Sequence, residues 1–209
     1  MYDANPIVFV VDDEPAITRA LSRLITTFGF QCMTFSSAQE FLQAELPDAP
    51  GCLVLDVFLP GLTGLELQQK LAETKLDLPI IFMTAQPEVA ISVQAMKAGA
   101  IEFLSKPFGE HELLPAIQRG IERHCSSRRR RARLFDLTKR ADSLTPREKE
   151  VFLLVTRGLL NKQAAAELGI REKTIKVHRA QVMQKMNADS LAELVRMAEQ
   201  LKGYTTRRI

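Results

Sequence analysis

The chain has 209 residues, of which 46% are hydrophobic and 25% are charged, and this size suits two compact domains better than one. The longest apolar run is far shorter than the ~20 residues that cross a bilayer, and residues 1–6 carry no basic stretch, so neither a membrane span nor a secretory signal is expected. Three widely spaced cysteines exclude a disulfide framework and a metal finger. We therefore expect a protein of the cytoplasm.

The net charge of +3 is distributed unevenly along the chain. Residues 1–120 carry 7 basic and 15 acidic side chains, residues 121–142 carry 8 and 3, and residues 143–209 carry 13 and 7. A basic half that follows an acidic half predicts that the C-terminal part meets a polyanion. Double-stranded DNA is the leading candidate.

The first half alternates short apolar runs with amphipathic stretches. The run Ile7 to Val11 is followed by apolar residues at helical spacing, and runs at 32–35, 53–55, 80–83 and 101–104 each precede another helix-like segment. Uninterrupted apolar strands are typical of sheets that are buried on both faces. The pattern therefore predicts an α/β fold with a five-stranded parallel sheet covered by helices on each side.

Polar side chains stand at the ends of four of these runs, where an open parallel sheet binds its ligands. They are Asp12, Asp13, Asp56, Thr84 and Lys106. Carboxylates brought this close repel one another unless a cation compensates, and oxygen ligands favour Mg²⁺. Asp56 follows the central run and is the best nucleophile for phosphoryl transfer, while Asp12 and Asp13 suit the metal.

Each of these residues also has a purely local interpretation. Asp13 could cap the first helix, Asp56 could be a turn residue before a Pro-Gly pair, and Thr84 could be a cap. The joint occurrence of such residues at the ends of four runs favours a functional site.

A basic segment, residues 123–142, separates residues 1–122 from residues 143–209. It contains Arg128 to Arg131, and residues 121–145 contain neither Gly nor Pro, which favours a partly helical linker. The arginines could contact phosphates or could simply be solvated.

Four short helices are predicted in the last third of the chain. Thr145 followed by Pro146 and Glu148 is a helix start, and Asn161 could cap a second helix that runs to Leu168. Further helices over about 172–186 and 191–201 complete an all-α domain with a helix-turn-helix. The outer face of helix 172–186 mixes Lys, Gln and small apolar residues, which suits either a DNA major groove or a solvated surface.

Residues 5–122 resemble the receiver domain of two-component response regulators. The motifs are VVDDEP at 10–15, LVLDVFLPGLTGLEL at 53–67, IIFMTA at 80–85 and AGAIEFLSKPF at 98–108. The resemblance implies a flavodoxin-like fold in which Asp56 accepts a phosphoryl group from a sensor histidine kinase. It also implies Mg²⁺ at Asp13, Asp56 and the Phe58 carbonyl with Asp12 nearby, and phosphoryl contacts from Thr84 and Lys106. Phe103 matches the family's switch aromatic, or is a core aromatic.

Residues 144–186 resemble the LuxR-type helix-turn-helix of the FixJ and NarL regulators, and residues 160–163 are similar to those of regulators of aromatic-hydrocarbon catabolism. The resemblance implies that Lys176, Val177 and Ala180 face bases in the major groove. It places near phosphates the side chains of Lys173, Thr174, Arg179, Asn161 and Lys162. Leu191, Leu194 and Val195 match a dimerisation helix, with internal packing as the alternative. Arg171 departs from the Ser that is common at its position.

Together these features predict a transcription regulator that dimerises when phosphorylated, binds promoter DNA and acts on RNA polymerase. The resemblance to FixJ implies an activator, while the sequence itself leaves activation and repression open. One alternative is a DNA-binding regulator that works without phosphorylation. The rival class is a phosphatase that uses Asp56 as a transient nucleophile. Such enzymes place a second acid two residues later, where this chain has Phe58.

Overall fold

The computed structural model describes residues 5–74 and 76–205. It contains a five-stranded, fully parallel sheet with the order β2-β1-β3-β4-β5. Its strands are β1 (Ile7–Val11), β2 (Gln31–Phe35), β3 (Gly51–Asp56), β4 (Ile80–Thr84) and β5 (Glu102–Ser105). The strand order reverses direction between β1 and β3, and this is the switch point at which such sheets bind ligands. The predicted α/β sheet is confirmed.

Five helices cover the two faces of this sheet. They are α1 (Pro15–Thr27), α2 (Ala38–Gln43), α3 (Gly64–Glu73), α4 (Val89–Lys97) and α5 (Glu110–Asp142). Helices α1 and α5 pack on one face through Ile25, Ile117 and Ile121, all fully buried. Helices α2, α3 and α4 pack on the other face, where Phe41 contacts Phe9 edge-on at 6.0 Å. Strands β1, β3 and β4 are buried on both sides, which explains their uninterrupted apolar runs.

Helix α5 is 33 residues long and includes the whole segment 123–142. The chain divides into two compact units, Met1–Arg128 and Arg129–Ile209, so the boundary falls inside α5. Within the first unit, Arg128 Nη1 lies 2.6 Å from Asp48 Oδ1, and the Gly51 amide donates to His124 Nδ1 at 2.9 Å. These contacts fix α5 to the edge at which β3 begins. No described helix, α5 included, is both long and apolar enough to cross a bilayer.

The second unit contains the end of α5 and four more helices. These are α6 (Pro146–Thr156), α7 (Asn161–Leu168), α8 (Glu172–Met186) and α9 (Leu191–Thr205). Thr145 and Glu148 form the predicted capping box at the start of α6. Gly169, with φ +64°, ends α7 and opens the short turn into α8. Their core includes the fully buried side chains of Val151, Val155, Ile175, Val182 and Leu194.

Candidate functional site

The carboxyl ends of β1, β3, β4 and β5 bring four polar side chains to one edge of the sheet. Asp12, Asp56 and Thr84 are buried there, with 1%, 7% and 0% of their surface exposed. Lys106 joins two of them, since its Nζ lies 2.6 Å from Asp12 Oδ2 and 3.3 Å from Asp56 Oδ1. The structure therefore brings together residues that are up to 94 positions apart in the chain.

The two adjacent acids after β1 have different environments. The Asp12 carboxylate accepts a hydrogen bond from the Glu14 amide at 2.9 Å as well as the one from Lys106. Asp13 is exposed, and it does not cap α1, because Glu14 occupies the N-cap position and makes no side-chain cap bond. Asp12 is thus a buried partner of Lys106, while the Asp13 carboxylate remains accessible from solvent.

The loop after β3 holds Asp56 by main-chain contacts. The Val57 amide donates to the Met83 carbonyl at 3.0 Å, and the Gly64 amide donates to the Val57 carbonyl at 3.0 Å. A Cβ atom at Gly64 would lie 2.2 Å from the Asp56 carbonyl oxygen, so only glycine allows α3 to approach so closely. Gly64 was not among the predicted site residues, although a glycine directly after the Thr63 cap is visible in the sequence. Phe58, in the same loop, is 46% exposed.

The charges at this edge perturb one another. Burial raises the pKa of Asp56, and the neighbouring Asp12 charge raises it further, against the opposing effect of Lys106. Burial alone would lower the pKa of Lys106, but its hydrogen bond to Asp12 and the charge of Asp56 raise it above the ordinary value. Lys106 therefore stays protonated at neutral pH and neutralises only part of the acidic charge.

Replacing Asp56 by Asn should stabilise the unphosphorylated chain at neutral pH in the absence of divalent ions. The pKa of the Asp56 carboxyl is higher in the folded chain than in the unfolded chain, where it is near 3.8. The carboxyl therefore contributes most to stability below pH 3.8, and this contribution is lost as the pH rises through the pKa of the folded state. Urea unfolding of both chains between pH 4 and 8 tests this. The advantage of the Asn variant should grow with pH, and a constant difference would contradict the raised pKa.

The donor set at this edge fits a magnesium ion. Asp12, Asp13 and Asp56 bring three formal negative charges and Lys106 one positive charge, so a divalent cation would balance the remainder. Within residues 5–74 and 76–205, no three His, Cys, Asp or Glu side chains converge to hold a metal alone. Mg²⁺ does not need three such ligands, because it binds through one or two carboxylates and keeps several water molecules.

Thr84 ends β4 within this cluster, and Phe103 lies on β5 two residues before that strand ends. The Thr84 hydroxyl accepts a hydrogen bond from the Gln86 amide at 3.1 Å, and the Thr84 carbonyl accepts one from the Lys106 amide at 2.7 Å. Thr84 therefore connects the loops that follow both strands. The half-buried Phe103 ring packs 6.2 Å from the ring of Phe82.

In the second unit, helix α8 presents one apolar and one polar face. Ile175, Val182 and Met186 are fully buried. The exposed side chains include four of the residues predicted to face DNA, namely Lys173, Thr174, Lys176 and Ala180, and Val177 is 52% exposed. The exposed side chains lie on a helix that follows a short turn, as a groove-reading helix requires.

Two of the predicted phosphate contacts, Asn161 and Arg179, join α7 to α8. Arg179 Nη1 donates to Asn161 Oδ1 at 3.0 Å, and Lys162 is exposed. Asn161 was predicted to cap α7, but that is wrong: Leu160 occupies the N-cap, and the Asn161 carboxamide binds Arg179 instead. Arg171 is the N-cap of α8 and makes no side-chain cap bond.

The opposite end of α8 is fixed by an ion pair that was not predicted from the sequence. Lys185 Nζ lies 2.6 Å from Glu148 Oε2, and Arg140 donates to the Met186 carbonyl at 3.1 Å. The hydrogen bonds from Lys185 and Thr145 hold the pKa of the buried Glu148 below its usual value. The capping box identified Glu148, but no local pattern indicated its partner 37 positions away.

Helix α9 corrects one expectation about dimerisation. Leu194 is fully buried in the core of its own unit, so its side chain packs internally and is not available to a second chain. Leu191 is 37% exposed and Val195 is half-buried. Only these two remain accessible among the three residues predicted to form an interface.

Comparisons with known proteins agree with both halves of this description. Residues 8–118 match the response regulator receiver domain, and residues 142–198 match the bacterial regulatory proteins of the luxR family. The chain is 47% identical to nodulation protein W of Bradyrhizobium diazoefficiens, over 93% of this chain and 86% of that protein. It is 42% identical to the response regulator protein TodT of Pseudomonas putida, over 97% and 89%.

Solved structures give the same result. A low-resolution structure of the response regulator StyR has 47% identity and a TM-score of 0.85, covering 94% of this chain and 100% of that one. Full-length FixJ from B. japonicum has 39% identity and a TM-score of 0.57, covering 94% and 97%. These likenesses span both units, so they concern the whole chain.

Proposed function

This chain belongs to the two-component response regulators that join a receiver domain to a LuxR-family DNA-binding domain, and we propose that phosphorylation of Asp56 controls its binding to promoter DNA. Like its relatives, it is a transcriptional regulator and not an enzyme, so the phosphatase alternative is not retained. The observation that supports Asp56 is its position beside Lys106 at the switch point of the sheet.

The phosphoryl group would come from a phosphohistidine of a sensor histidine kinase. An Asp56 carboxylate oxygen forms a P–O bond as the P–N bond breaks, and the imidazole leaves with the bonding electrons and takes up a proton. Such a reaction depends on positioning and charge neutralisation more than on further covalent chemistry. Lys106, held 3.3 Å from Asp56 by its hydrogen bond to Asp12, can neutralise an incoming phosphoryl oxygen.

Asp13, Asp56 and the Phe58 carbonyl would hold Mg²⁺, with Asp12 acting through water. When bound, the ion supplies positive charge that offsets the charge of the transferred group. The exposed Asp13 carboxylate and the uncompensated acidic charge support this assignment. Asp12 suits the outer position because its oxygens already accept hydrogen bonds from Glu14 and Lys106.

Phosphorylation would be reported through Thr84 and Phe103. A phosphoryl group on Asp56 offers a new acceptor to the Thr84 hydroxyl, which now contacts only the Gln86 loop among the described partners. Movement of Thr84 would leave space for the half-buried Phe103 ring to turn inward. This would change the surface formed by α4 and β5, where a second receiver could bind.

In the second unit, α8 would enter the major groove. Lys176, Val177 and Ala180 would contact bases, and the phosphate contacts would come from Lys173, Thr174, Arg179, Asn161 and Lys162. A dimer would double these contacts on a two-fold site, with Leu191 and Val195 of α9 available to the interface. The regulator would act in the cytoplasm as an activator and recruit RNA polymerase.

Acetyl phosphate with Mg²⁺ should convert the wild-type chain from monomer to dimer and tighten its binding to DNA. The DNA is a duplex selected by this protein from a random pool, which removes the need to know the operator. Mass by sedimentation and affinity by fluorescence anisotropy are measured with and without the phosphodonor. If the chain binds DNA tightly and acetyl phosphate does not change its affinity, the result would instead support the phosphorylation-independent regulator.

A further inference from the structure

Helix α8 carries one acidic side chain in line with the residues proposed to face bases. Glu172, Lys176 and Ala180 follow one another at intervals of four, so they lie on the same line along the helix, and all three are exposed. Glu172 is the first residue of α8, and the N-terminal residues of a recognition helix approach the base edges. A carboxylate is therefore presented to the polyanion that the rest of this face attracts.

The same carboxylate contacts a basic residue of that face. Glu172 Oε1 lies 3.4 Å from Lys176 Nζ, and the two side chains are 47% and 64% exposed. In water such a pair contributes little to folding. Beside DNA the pair acts differently, because the carboxylate offsets the lysine charge and repels a backbone phosphate, so the lysine gains less from a phosphate contact than a lysine without such a partner.

We propose that Glu172 is a specificity-determining residue of the DNA-binding surface, which keeps Lys176 off the phosphate backbone and directs its ammonium group toward base edges. This inference depends on the proposed entry of α8 into the major groove. Phosphate contacts are independent of sequence, whereas contacts to base edges discriminate among sequences. Glu172 would thus weaken binding to random DNA more than binding to the preferred site, which increases the ratio between the two affinities.

The test compares Glu172→Gln with wild type on the selected duplex and on a scrambled duplex, at several salt concentrations and with acetyl phosphate and Mg²⁺ present. Glutamine keeps the size of the side chain and removes its charge. Glu122→Gln, an exposed position on α5 in the first unit, is the matched control for net charge. Thermal unfolding and mass of each variant show that fold and dimerisation are retained.

Glu172→Gln should bind the scrambled duplex more tightly by about fivefold to tenfold per protomer near 0.1 M salt, because each freed Lys176 gains one phosphate contact. The salt dependence of that binding should steepen by about one unit per protomer. Binding to the selected duplex should change less than about twofold per protomer, so the ratio of the two affinities falls about fivefold per protomer. In a Lys176→Gln background the substitution at Glu172 should no longer alter discrimination, since the two effects are coupled.

Equal behaviour of the Glu172→Gln and Glu122→Gln variants would overturn the proposal, because bulk charge alone would then explain the change. Weaker binding of Glu172→Gln to both duplexes would also overturn it, and would mean that the carboxylate stabilises the N-terminal end of α8. A wild-type chain that binds neither duplex would instead overturn the proposed function itself. These three results are distinguishable within one set of titrations.

Discussion

Asp56→Asn should produce a folded chain that takes up no phosphoryl group from acetyl phosphate or from a kinase. The Asn carboxamide is not a nucleophile toward phosphorus, although it has nearly the same shape and can remain beside Lys106. Both the dimerisation and the gain in DNA affinity induced by the phosphodonor should disappear. Intact-protein mass spectrometry at neutral pH measures the uptake directly, and sedimentation and anisotropy measure its consequences.

Asp48→Asn is the matched control for that substitution. It changes the same charge in the same unit, but Asp48 pairs with Arg128 and precedes β3, whereas Asp56 ends β3. Its phosphoryl uptake should equal that of the wild type. Uptake that persists in the Asp56 variant at the wild-type rate would assign the acceptor to another residue and remove the basis of the proposed switch.

The receiver fold and its acidic cluster could be predicted because each rests on a local signal. Strands buried on both faces give uninterrupted apolar runs, and the ends of parallel strands meet at one edge of the sheet. The resemblance to receiver domains implied different positions for Asp12 and Asp13, but no local pattern in the sequence predicted their separate environments. Every residue of β1 is buried, so burial gives no alternation that would show which acid turns inward toward Lys106.

Contacts between distant residues were beyond prediction for a different reason. The pairs Arg128–Asp48 and Lys185–Glu148 join positions 80 and 37 apart, and their partners could only be identified once the fold was known. Residues 123–142 were predicted to be partly helical from composition, and the structure has α5 continuous to Asp142. That continuity comes partly from packing, because the buried Leu137 joins the core of the second unit.

The apolar residues of helix α9 are compatible with two kinds of packing. Apolar residues at helical spacing describe a helix that packs on its own domain as well as one that packs on a second chain. Leu194 packs on its own domain, while Leu191 remains exposed enough to contact a second chain. The sequence could identify the apolar face of α9, but it could not show whether that face packs on its own domain or on a second chain.

Gly64→Ala should destabilise the receiver unit by about 2–3 kcal/mol, the upper part of the range for an overpacked core site. Alanine is a better helix former than glycine by about 1 kcal/mol, so propensity at the start of α3 would favour the substitution. Steric overlap should outweigh it, because the new Cβ would lie 2.2 Å from the Asp56 carbonyl oxygen, a main-chain atom that moves only with β3. Hydrogen exchange of the β3 amides in the full chain measures the loss.

Gly29→Ala separates this overlap from backbone strain. Gly29 has φ +84°, and a Cβ atom added there would meet no other atom within 4 Å, so its substitution should cost only the roughly 1 kcal/mol of an unfavourable conformation. It should also leave phosphoryl uptake unchanged, whereas Gly64→Ala should slow uptake by displacing Asp56 from Lys106. If the two variants lose equal stability and retain equal uptake, the close approach of α3 to Asp56 does not hold the phosphoacceptor in place, and the main-chain contacts of Val57 must suffice.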